Sequence, residues 1–317
     1  MRIYKTLKVL FLLVSIFGAI FMYRSYYTGN STNDQGQVLG VMEDLGNPNN
    51  LPVSPILVPP TKTTLETEPA ISAQRAVVMD SDTESVLFGK NINEEQTIAS
   101  LTKLITALVF FENKPDWASY YKVQGLDIRK GGNDYIFAGD EIKLIDLFNL
   151  ALIPSENTAA VSLARSLGYT EDEFAQKMNE KMKAWKLDNT RFTDCTGLGA
   201  NYSTAKEIAL LAKRALSYSM LREATQNQEY EFTTKKGITR IAKTTDKLLE
   251  TYPRRGINLV GGKTGHTNLA GYCFTGIFYK QDNKELISVV LNDKSDEARF
   301  ATTETMVNWA FENYKWQ

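Results

Sequence analysis

A strongly apolar stretch follows Ser100 and reads Leu-Thr-Lys-Leu-Ile-Thr-Ala-Leu-Val-Phe-Phe from residue 101 to residue 111. Its apolar residues recur at helical spacing and cover almost every face, which is typical of a buried central helix. Pro115 follows the run, and a proline ends a helix at or before the preceding residue. The pattern therefore predicts a buried helix that begins at Ser100 and ends before Pro115.

Short runs of β-branched and aromatic residues lie on both sides of this central region. Residues 75–80 and 84–88 flank a group of turn residues, which predicts a β-hairpin. Residues 271–279 and 285–291 predict two further strands around a turn at 281–283. Strand signals thus occur near both ends of the folded part of the chain.

Helical periodicity dominates the sequence between these strands and returns after them. The predicted helices cover residues 142–152, 158–167, 171–185, 204–217 and 295–314. This order predicts an α+β fold, with an antiparallel sheet built from both ends of the domain, helices backing it and a helical lobe inserted. We expect the active site in a cleft between the two lobes.

The N-terminal segment has the pattern of an export signal. Basic residues precede an apolar run from residue 9 to residue 23, which is shorter than the roughly 20 residues that span a bilayer comfortably. No small-residue cleavage site follows, so we expect residues 1–27 to be an N-terminal transmembrane anchor in the cell membrane. The catalytic part would then be extracytoplasmic. A cleaved signal and a secreted protein are the alternative.

Composition changes between residues 28 and 70, where Asn, Thr and Pro are frequent. Six of the nine prolines lie between Pro48 and Pro69. This composition predicts a disordered linker. Residues 71–317 are then expected to form one folded domain.

Charge and metal-binding residue types exclude several functions. The net charge is −1, which gives no indication of nucleic-acid binding. The two cysteines, Cys195 and Cys273, form neither a metal-ligand spacing nor a disulfide framework, although a single bridge is an alternative to two inert thiols. His266 is the only histidine. We therefore expect no metal and no cofactor.

Ser100 and Lys103 lie three residues apart, which puts both side chains on one face of the predicted helix. The helix N-terminus would offer free N–H groups and a partial positive charge there. A serine hydroxyl needs a base to become a good nucleophile. Lys103 would be that base if burial and a second cation, Lys263, lower its pKa. A structural helix with an incidental Ser and Lys is the alternative.

The second polar cluster is Ser155-Glu156-Asn157, between two predicted helices. A loop in this position can direct short polar side chains into a cleft. Ser155 would relay a proton to a leaving amine, and Asn157 would hydrogen-bond both Lys103 and a substrate amide. An ordinary helix N-cap is the alternative, because Ser and Asn both suit that position.

The third cluster, Lys263-Thr264-Gly265-His266, precedes a predicted strand. Lys263 and the Thr264 hydroxyl together suit a carboxylate, and Gly265 would let a substrate backbone approach. The N–H of His266 would join that of Ser100 in an oxyanion hole. A hairpin turn is the alternative. His266 would also be the candidate base of a Ser–His pair, but no Gly-x-Ser-x-Gly motif accompanies it.

These three motifs are those of penicillin-binding proteins and class A β-lactamases, and from about residue 73 onward the chain resembles the D-alanyl-D-alanine carboxypeptidases, the low-molecular-mass penicillin-binding proteins. The matching stretches are 99–103, 192–194, 196–198, 202–205, 263–267 and 270–272. The resemblance implies the serine transpeptidase or β-lactamase-like fold, with a five-stranded antiparallel sheet, flanking helices and a helical lobe. It also implies that the D-Ala-D-Ala end of peptidoglycan stem peptides acylates Ser100 and loses D-alanine, and that β-lactam antibiotics acylate the same serine.

Three departures from the family pattern accompany this resemblance. The middle motif has Glu156 where the family usually has glycine, and we expect this residue to add a charge at the cleft edge. Residues 244–248 replace a segment often richer in asparagine. Nothing after the final predicted helix resembles the β-rich domain and membrane helix of many relatives, so tethering is expected from the N-terminus.

Three other functions are alternatives to a carboxypeptidase. A D,D-endopeptidase or transpeptidase would act on cross-linked peptidoglycan with the same motifs. A class A β-lactamase needs a glutamate that activates the deacylating water, and no convincing counterpart lies between Ser155 and Lys263. A catalytically silent wall-binding protein would not need intact motifs.

Overall fold

The computed structural model describes residues 57–64, 66–132, 134–280 and 284–316. The α-helices in these ranges are α1 (Lys103–Glu112), α2 (Leu144–Leu152), α3 (Asn157–Ser166), α4 (Glu171–Ala184), α5 (Ala205–Leu216), α6 (Ser219–Gln226), α7 (Leu248–Thr251) and α8 (Asp296–Asn313). The strands are β1 (Thr61–Lys62), β2 (Arg75–Asp80), β3 (Val86–Lys90), β4 (Gln96–Thr97), β5 (Tyr120–Lys122), β6 (Glu141–Lys143), β7 (Tyr202–Ser203), β8 (Glu229–Thr233), β9 (Thr239–Lys243), β10 (Ile257–Thr267), β11 (Gly271–Lys280), β12 (Lys284–Asp293) and β13 (Tyr314–Lys315).

One five-stranded antiparallel sheet joins the two ends of the domain. Its strand order is β10-β11-β12-β2-β3. The β10–β11–β12 meander comes from the C-terminal part of the chain and the β2–β3 hairpin from the N-terminal part. They meet where Val289 of β12 pairs with Val77 of β2. The predicted α+β fold and its sheet built from both ends are confirmed.

Alternating side chains give the sheet two buried faces. Val77 and Ile287 belong to the large core that also contains α1, whereas Val78 and Phe278 belong to a second core. The second core is completed by Met306 and other apolar residues of α8. Helices therefore cover both faces of the sheet, and apolar burial on each face stabilises the arrangement.

The central helix α1 is buried as predicted. Every residue from Lys103 to Phe110 is buried, and the helix ends at Glu112, before Pro115. Ser100, however, does not lie in the α-helix itself but in a preceding 3₁₀ turn, Ala99–Thr102. The other predicted helices are confirmed, with bounds that differ by one or two residues.

Several short elements have no counterpart among the sequence predictions. They include the β8–β9 hairpin, the β5–β6 pair and the helix α6. The strands of these two pairs are only three to five residues long. Such runs are too short to separate from loop sequence by periodicity. The predicted turn at 281–283 lies outside the described residues.

The start of the described chain lies against its end. Thr61 of β1 pairs with Lys315 of β13, and the Thr63 amide donates to the Asn313 carbonyl at 2.8 Å. The N-terminal partners in this pairing, Thr61 and Thr63, belong to residues 28–70, the range expected to be linker. The predicted anchor at 1–27 and the linker up to residue 56 lie outside the described residues. Between residues 57 and 316, no described helix combines the length and apolarity needed to cross a membrane.

Both cysteines are free and buried. Burial raises the pKa of the Cys195 thiol above its ordinary range and that of Cys273 to about 11. A thiol that stays protonated is a poor nucleophile, and the two cysteines form no bridge with each other.

Candidate active site

The 3₁₀ turn that carries Ser100 is held from two sides. Ala99 has a φ of 47°, in the left-handed region, and the Thr102 hydroxyl donates to its carbonyl at 2.8 Å. Gly197, also at positive φ, packs so closely that a Cβ there would fall 1.9 Å from the Ala99 oxygen. Only glycine fits at this position. Backbone strain and close packing therefore fix the position of Ser100.

Oxygen atoms surround the side-chain nitrogen of the buried Lys103. Its Nζ lies 2.7 Å from the Ser100 Oγ, 2.7 Å from the Asn157 Oδ1 and 3.0 Å from the Thr196 carbonyl oxygen. The Ser155 Oγ lies 3.4 Å away. Residues from the first and second predicted motifs therefore meet at one amine.

Burial lowers the pKa of Lys103 from its ordinary value of 10.5 to about 7, because an ammonium loses its hydration inside the protein. Electrostatic interactions with the acidic groups of Cys195, Glu156 and Asp194 act in the opposite direction and raise this pKa. The sequence also predicted a contribution from Lys263. In the structure, burial is the largest cause of the lowering.

The repulsion between the two lysines is mutual, and it also acts on Lys263. Burial and the positive charges of Lys103 and Arg299 lower the pKa of Lys263 well below its ordinary value. The Asp246 carboxylate raises it. Two lysines and an arginine therefore share one desolvated region, where a neutral Lys103 would favour the charged form of Lys263.

Ser155 and Asn157 connect α2 to α3. Ser155 has a φ of 64°, a left-handed conformation that is strained for a serine. Asn157 is the first residue of α3, and its Nδ2 donates to the Gly131 carbonyl at 2.8 Å while its Oδ1 contacts Lys103. The predicted contact between Asn157 and Lys103 is therefore present.

Glu156 does not lie at the cleft edge, and that expectation was wrong. Its side chain is buried, and its two oxygens accept hydrogen bonds from the backbone N–H groups of Tyr135 at 2.9 Å and Thr158 at 3.3 Å. Burial raises the pKa of this carboxyl to about 7. The carboxyl caps α3 and does not line the cavity.

Lys263 and Thr264 lie in β10, the edge strand of the sheet, and both are buried. The Lys263 Nζ donates to the Thr264 carbonyl at 3.0 Å, and the hydroxyls of Thr264 and Thr245 share a short hydrogen bond. The hairpin turn considered for Gly-Lys-Thr-Gly is excluded, because these residues pair in register with β11.

Gly265 allows the edge strand to approach the turn that carries Ser100. A Cβ at this position would lie 2.9 Å from the Ile98 carbonyl oxygen and 3.1 Å from the Ser100 nitrogen. The sequence predicted a close approach by substrate. The structure shows that the protein's own backbone already requires a glycine there.

His266 is exposed, and its ring stacks on Tyr272 with centroids 4.1 Å apart. The side-chain nitrogen within hydrogen-bond distance of the Ser100 Oγ belongs to Lys103. The alternative of a Ser–His pair therefore finds no support in the geometry.

These motifs border one cavity of about 310 Å³. Six of the predicted site residues line it: Ser100, Ser155, Asn157, Thr264, Gly265 and His266. Lys103 and Lys263 are buried behind this lining. No group of three or more His, Cys, Asp or Glu residues that could hold a metal ion occurs in the described part of the chain.

The cavity also has lining residues for which no role was predicted from the sequence. They are Gly131, Gly132, Pro154, Leu198, Thr245 and Arg299. Arg299 of α8 donates to the carbonyls of Gly265 at 3.0 Å and Cys273 at 3.2 Å. Arg299 is a single arginine in a helix and outside any motif, so no sequence pattern predicts its place at the cavity. Only packing of α8 on the sheet brings it to the site.

A family model described as D-alanyl-D-alanine carboxypeptidase matches residues 62–295. The chain belongs to this family. Within the family, it is 33% identical over 258 residues to the D-alanyl-D-alanine carboxypeptidase DacF of Bacillus subtilis, covering 78% of this chain and 64% of that protein. It is 30% identical over 253 residues to a D-alanyl-D-alanine endopeptidase of Escherichia coli, covering 78% of this chain and 79% of that protein.

The fold of this carboxypeptidase-family chain is similar to that of the Streptomyces K15 DD-transpeptidase. The crystal structure of that enzyme matches with a TM-score of 0.71 and 26% identity, covering 78% of this chain and 100% of the enzyme. The expected transpeptidase-like fold is therefore confirmed. The chain spans slightly less than two thirds of the length of DacF, which is longer.

Proposed function

We propose that this chain is a serine-type D-alanyl-D-alanine carboxypeptidase that removes the terminal D-alanine from peptidoglycan stem peptides. The observation that carries the proposal is the 2.7 Å separation of the Lys103 Nζ and the Ser100 Oγ, combined with burial that lowers the lysine pKa to about 7. A neutral amine beside a serine hydroxyl is an activated nucleophile pair. Family membership supports the substrate class.

In the proposed acylation, neutral Lys103 accepts the hydroxyl proton of Ser100 while the Oγ attacks the carbonyl carbon of the penultimate D-alanine. The negative oxygen of the tetrahedral intermediate would be stabilised by the backbone N–H groups of Ser100 and His266. Both residues line the cavity, and Gly265 packs against the Ser100 nitrogen, which supports this arrangement.

The terminal carboxylate of the substrate would bind to Lys263 and the Thr264 hydroxyl. A charged donor and a hydroxyl on one strand suit a carboxylate. Arg299 lines the same cavity and would add a second positive charge. The edge position of β10 leaves backbone groups available for pairing with an extended peptide, which supports a peptide substrate.

In the step that releases D-alanine, Ser155 would pass the proton from Lys103 to the leaving nitrogen as the C–N bond breaks. Asn157 would hold Lys103 and the substrate amide in position. A water molecule then attacks the acyl carbonyl, Lys103 accepts its proton, and the proton returns to the Ser100 Oγ. The products are D-alanine and a shortened peptide, and this reaction needs no cofactor.

β-Lactam antibiotics would acylate Ser100 in the same way, and the adduct would hydrolyse slowly. Rapid hydrolysis in class A β-lactamases uses a glutamate that activates water. Among the described residues, no glutamate lines the cavity, and Glu156 is occupied by two backbone N–H groups. This arrangement favours a penicillin-binding enzyme over a β-lactamase.

Endopeptidase activity on cross-linked peptidoglycan is the second candidate. The observation in its favour is that a relative 30% identical to this chain, from Escherichia coli, is named a D-alanyl-D-alanine endopeptidase. The same residues would act on both substrates. Product analysis with a cross-linked muropeptide and with a linear pentapeptide separates the two activities.

The remaining proposals concern location and domain organisation. A substrate in the cell wall requires an extracytoplasmic catalytic domain. The basic and apolar pattern within residues 1–27 supports an N-terminal membrane anchor, with residues 28–70 as a linker and 71–317 as the catalytic domain. Mass spectrometry of the mature chain would show whether these N-terminal residues remain attached.

Release of D-alanine from a pentapeptide ending in D-Ala-D-Ala tests the proposed function. We expect release by the natural chain and by the control Ser166→Ala, whose hydroxyl bonds the Leu163 carbonyl outside the cavity. Ser100→Ala should release none, and mass spectrometry should find penicillin on Ser100. Equal activity of Ser100→Ala and the natural chain would show that the proposal is wrong.

A further inference from the structure

Three consecutive residues at the start of α3 hold the same neighbouring stretch of backbone. The Thr158 hydroxyl accepts from the Arg129 N–H at 3.1 Å, and the Asn157 Nδ2 donates to the Gly131 carbonyl at 2.8 Å. The Glu156 Oε2 accepts from the Tyr135 N–H at 2.9 Å. The N-terminus of this helix is therefore attached to the neighbouring backbone at three points.

The attached backbone forms one side of the active-site cavity. Gly131 and Gly132 line it, and both have positive φ, at 117° and 85°. We call these two residues the glycine wall. On the far side of the wall, Arg240 of β9 donates to the Tyr135 carbonyl at 2.9 Å and pairs with Asp140. Tyr135 is thus held by Glu156 through its N–H and by Arg240 through its carbonyl.

The side chain of residue 156 decides whether the hydrogen bond to the Tyr135 N–H exists. The Glu156 side chain is only 2% exposed, and each of its oxygens accepts one backbone N–H. A glycine at this position, as in the usual Ser-Gly-Asn motif, has no acceptor to offer. If the carboxylate is removed, the N–H of Tyr135 loses its partner in a part-buried site.

We propose that Glu156 is a positioning residue that fixes the glycine wall against α3 and thereby sets how tightly the cavity holds its substrate. The residue does not touch the reacting atoms, and its effect on substrate binding passes through Tyr135 and the wall. The effect on substrate binding rests on the proposed function, whereas the attachment of the wall through Glu156 does not.

The structural arm of the test is amide hydrogen exchange at Tyr135 and its neighbours in the full chain. We expect Glu156→Ala to accelerate exchange there at least about tenfold, because the hydrogen bond that protects the amide is lost. Glu156→Gln keeps the volume and one acceptor oxygen, and its effect should be smaller. The control Glu207→Gln alters another buried carboxylate that accepts a backbone N–H, from Asn189, away from the cavity. It should leave exchange at Tyr135 unchanged.

The kinetic arm measures D-alanine release from a pentapeptide. We expect Glu156→Ala to raise KM about tenfold while kcat changes less than about threefold, since ground-state and transition-state binding weaken together. Glu156→Asp restores the charge on a shorter side chain and should recover part of the loss. A variant that only impaired folding would lower the active fraction, and therefore kcat, and would leave KM unchanged.

Two results would overturn the inference. One is unchanged exchange at Tyr135 in both Glu156→Ala and Glu156→Gln. The other is accelerated exchange with KM unchanged, which would show that the attachment has no influence on substrate binding. If the natural chain releases no D-alanine, the proposed function fails by itself, and exchange at Tyr135 still decides whether Glu156 holds the wall.

Discussion

Gly265 of the edge strand lies so close to Ser100 that a Cβ at position 265 would come within 3.1 Å of the Ser100 nitrogen. The same Cβ would lie 2.9 Å from the Ile98 carbonyl oxygen. Both neighbours are backbone atoms, which cannot move aside as the end of a flexible side chain can. The strand that carries Lys263 and the turn that carries Ser100 are thus in direct backbone contact. This contact requires a glycine at position 265.

Gly265→Ala should therefore separate the strand from the turn. We expect the rate of Ser100 acylation by a fluorescent penicillin to fall at least about tenfold, because small displacements of reacting groups are costly. Overpacking should also destabilise the domain by about 1–3 kcal/mol in urea unfolding. The control is Gly125→Ala, where a Cβ meets nothing within 4 Å. Equal acylation rates for the two variants would contradict this account.

The rate of acylation should depend on pH through Lys103. Burial lowers its pKa to about 7. The base is the neutral amine, so acylation should be lost as pH falls below about 7 and reach a plateau above it. Stopped-flow acylation by penicillin between pH 5 and 9 measures the midpoint. A midpoint near 10 would show that Lys103 is charged at neutral pH and does not act as the base.

The acidic groups near Lys103 predict the direction in which this midpoint shifts when one of them is removed. Cys195, Glu156 and Asp194 raise the Lys103 pKa, and the loss of one negative neighbour disfavours the ammonium form. Glu156→Gln should therefore move the midpoint of acylation to lower pH. The control Glu207→Gln should leave the midpoint in place. A shift to higher pH in Glu156→Gln would mean that Glu156 does not act on Lys103 through its charge.

The motifs predicted the chemical residues of the site because each motif is local in sequence. The spacing of Ser100 and Lys103 and the order of Lys263 and Thr264 are visible in the sequence itself. The structure adds what local spacing does not contain. Arg299 reaches the cavity only because α8 packs on the sheet, and Gly131 only because α3 holds its carbonyl.

Glu156 shows why one interpretation of the sequence was wrong. A charged residue between two site residues was expected at the cleft edge, because charged side chains are rarely buried. Two backbone N–H groups, from Tyr135 and Thr158, compensate its burial. The Tyr135 partner lies 21 residues away, and no pattern within the motif predicts it. The main sheet was easier to predict, since β11 and β12 are ten residues long and contain many β-branched and aromatic residues.

The proposed role of Lys263 predicts a loss that depends on the ligand's carboxylate. Lys263→Met keeps most of the length of the side chain and removes its charge. Acylation by benzylpenicillin should fall about ten- to a hundredfold, in line with the contribution of a charged hydrogen bond. Acylation by the penicillin methyl ester, which has no carboxylate, should change much less. An equal fall with both compounds would show that Lys263 does not bind the carboxylate.

Asp246 predicts a pH dependence of stability. This carboxyl is buried, one of its oxygens has no hydrogen-bond partner among the described residues, and burial raises its pKa from 3.8 to about 7. A raised pKa in the folded state means that protonation favours folding. The contribution is fully present below about pH 4 and is lost as pH rises through about 7.

Asp246→Asn does not ionise, so the variant should become more stable than the natural chain as pH rises from about 4 to about 7. Urea unfolding at several pH values measures this difference, which we expect to reach about 2–4 kcal/mol at pH 8. The control is Asp172→Asn, at an exposed aspartate in the first turn of α4. Its difference from the natural chain should not grow with pH in this way. If Asp246→Asn shows the same pH dependence as the natural chain, Asp246 is already ionised at neutral pH, stabilised by the positive charges of Arg299 and Lys263.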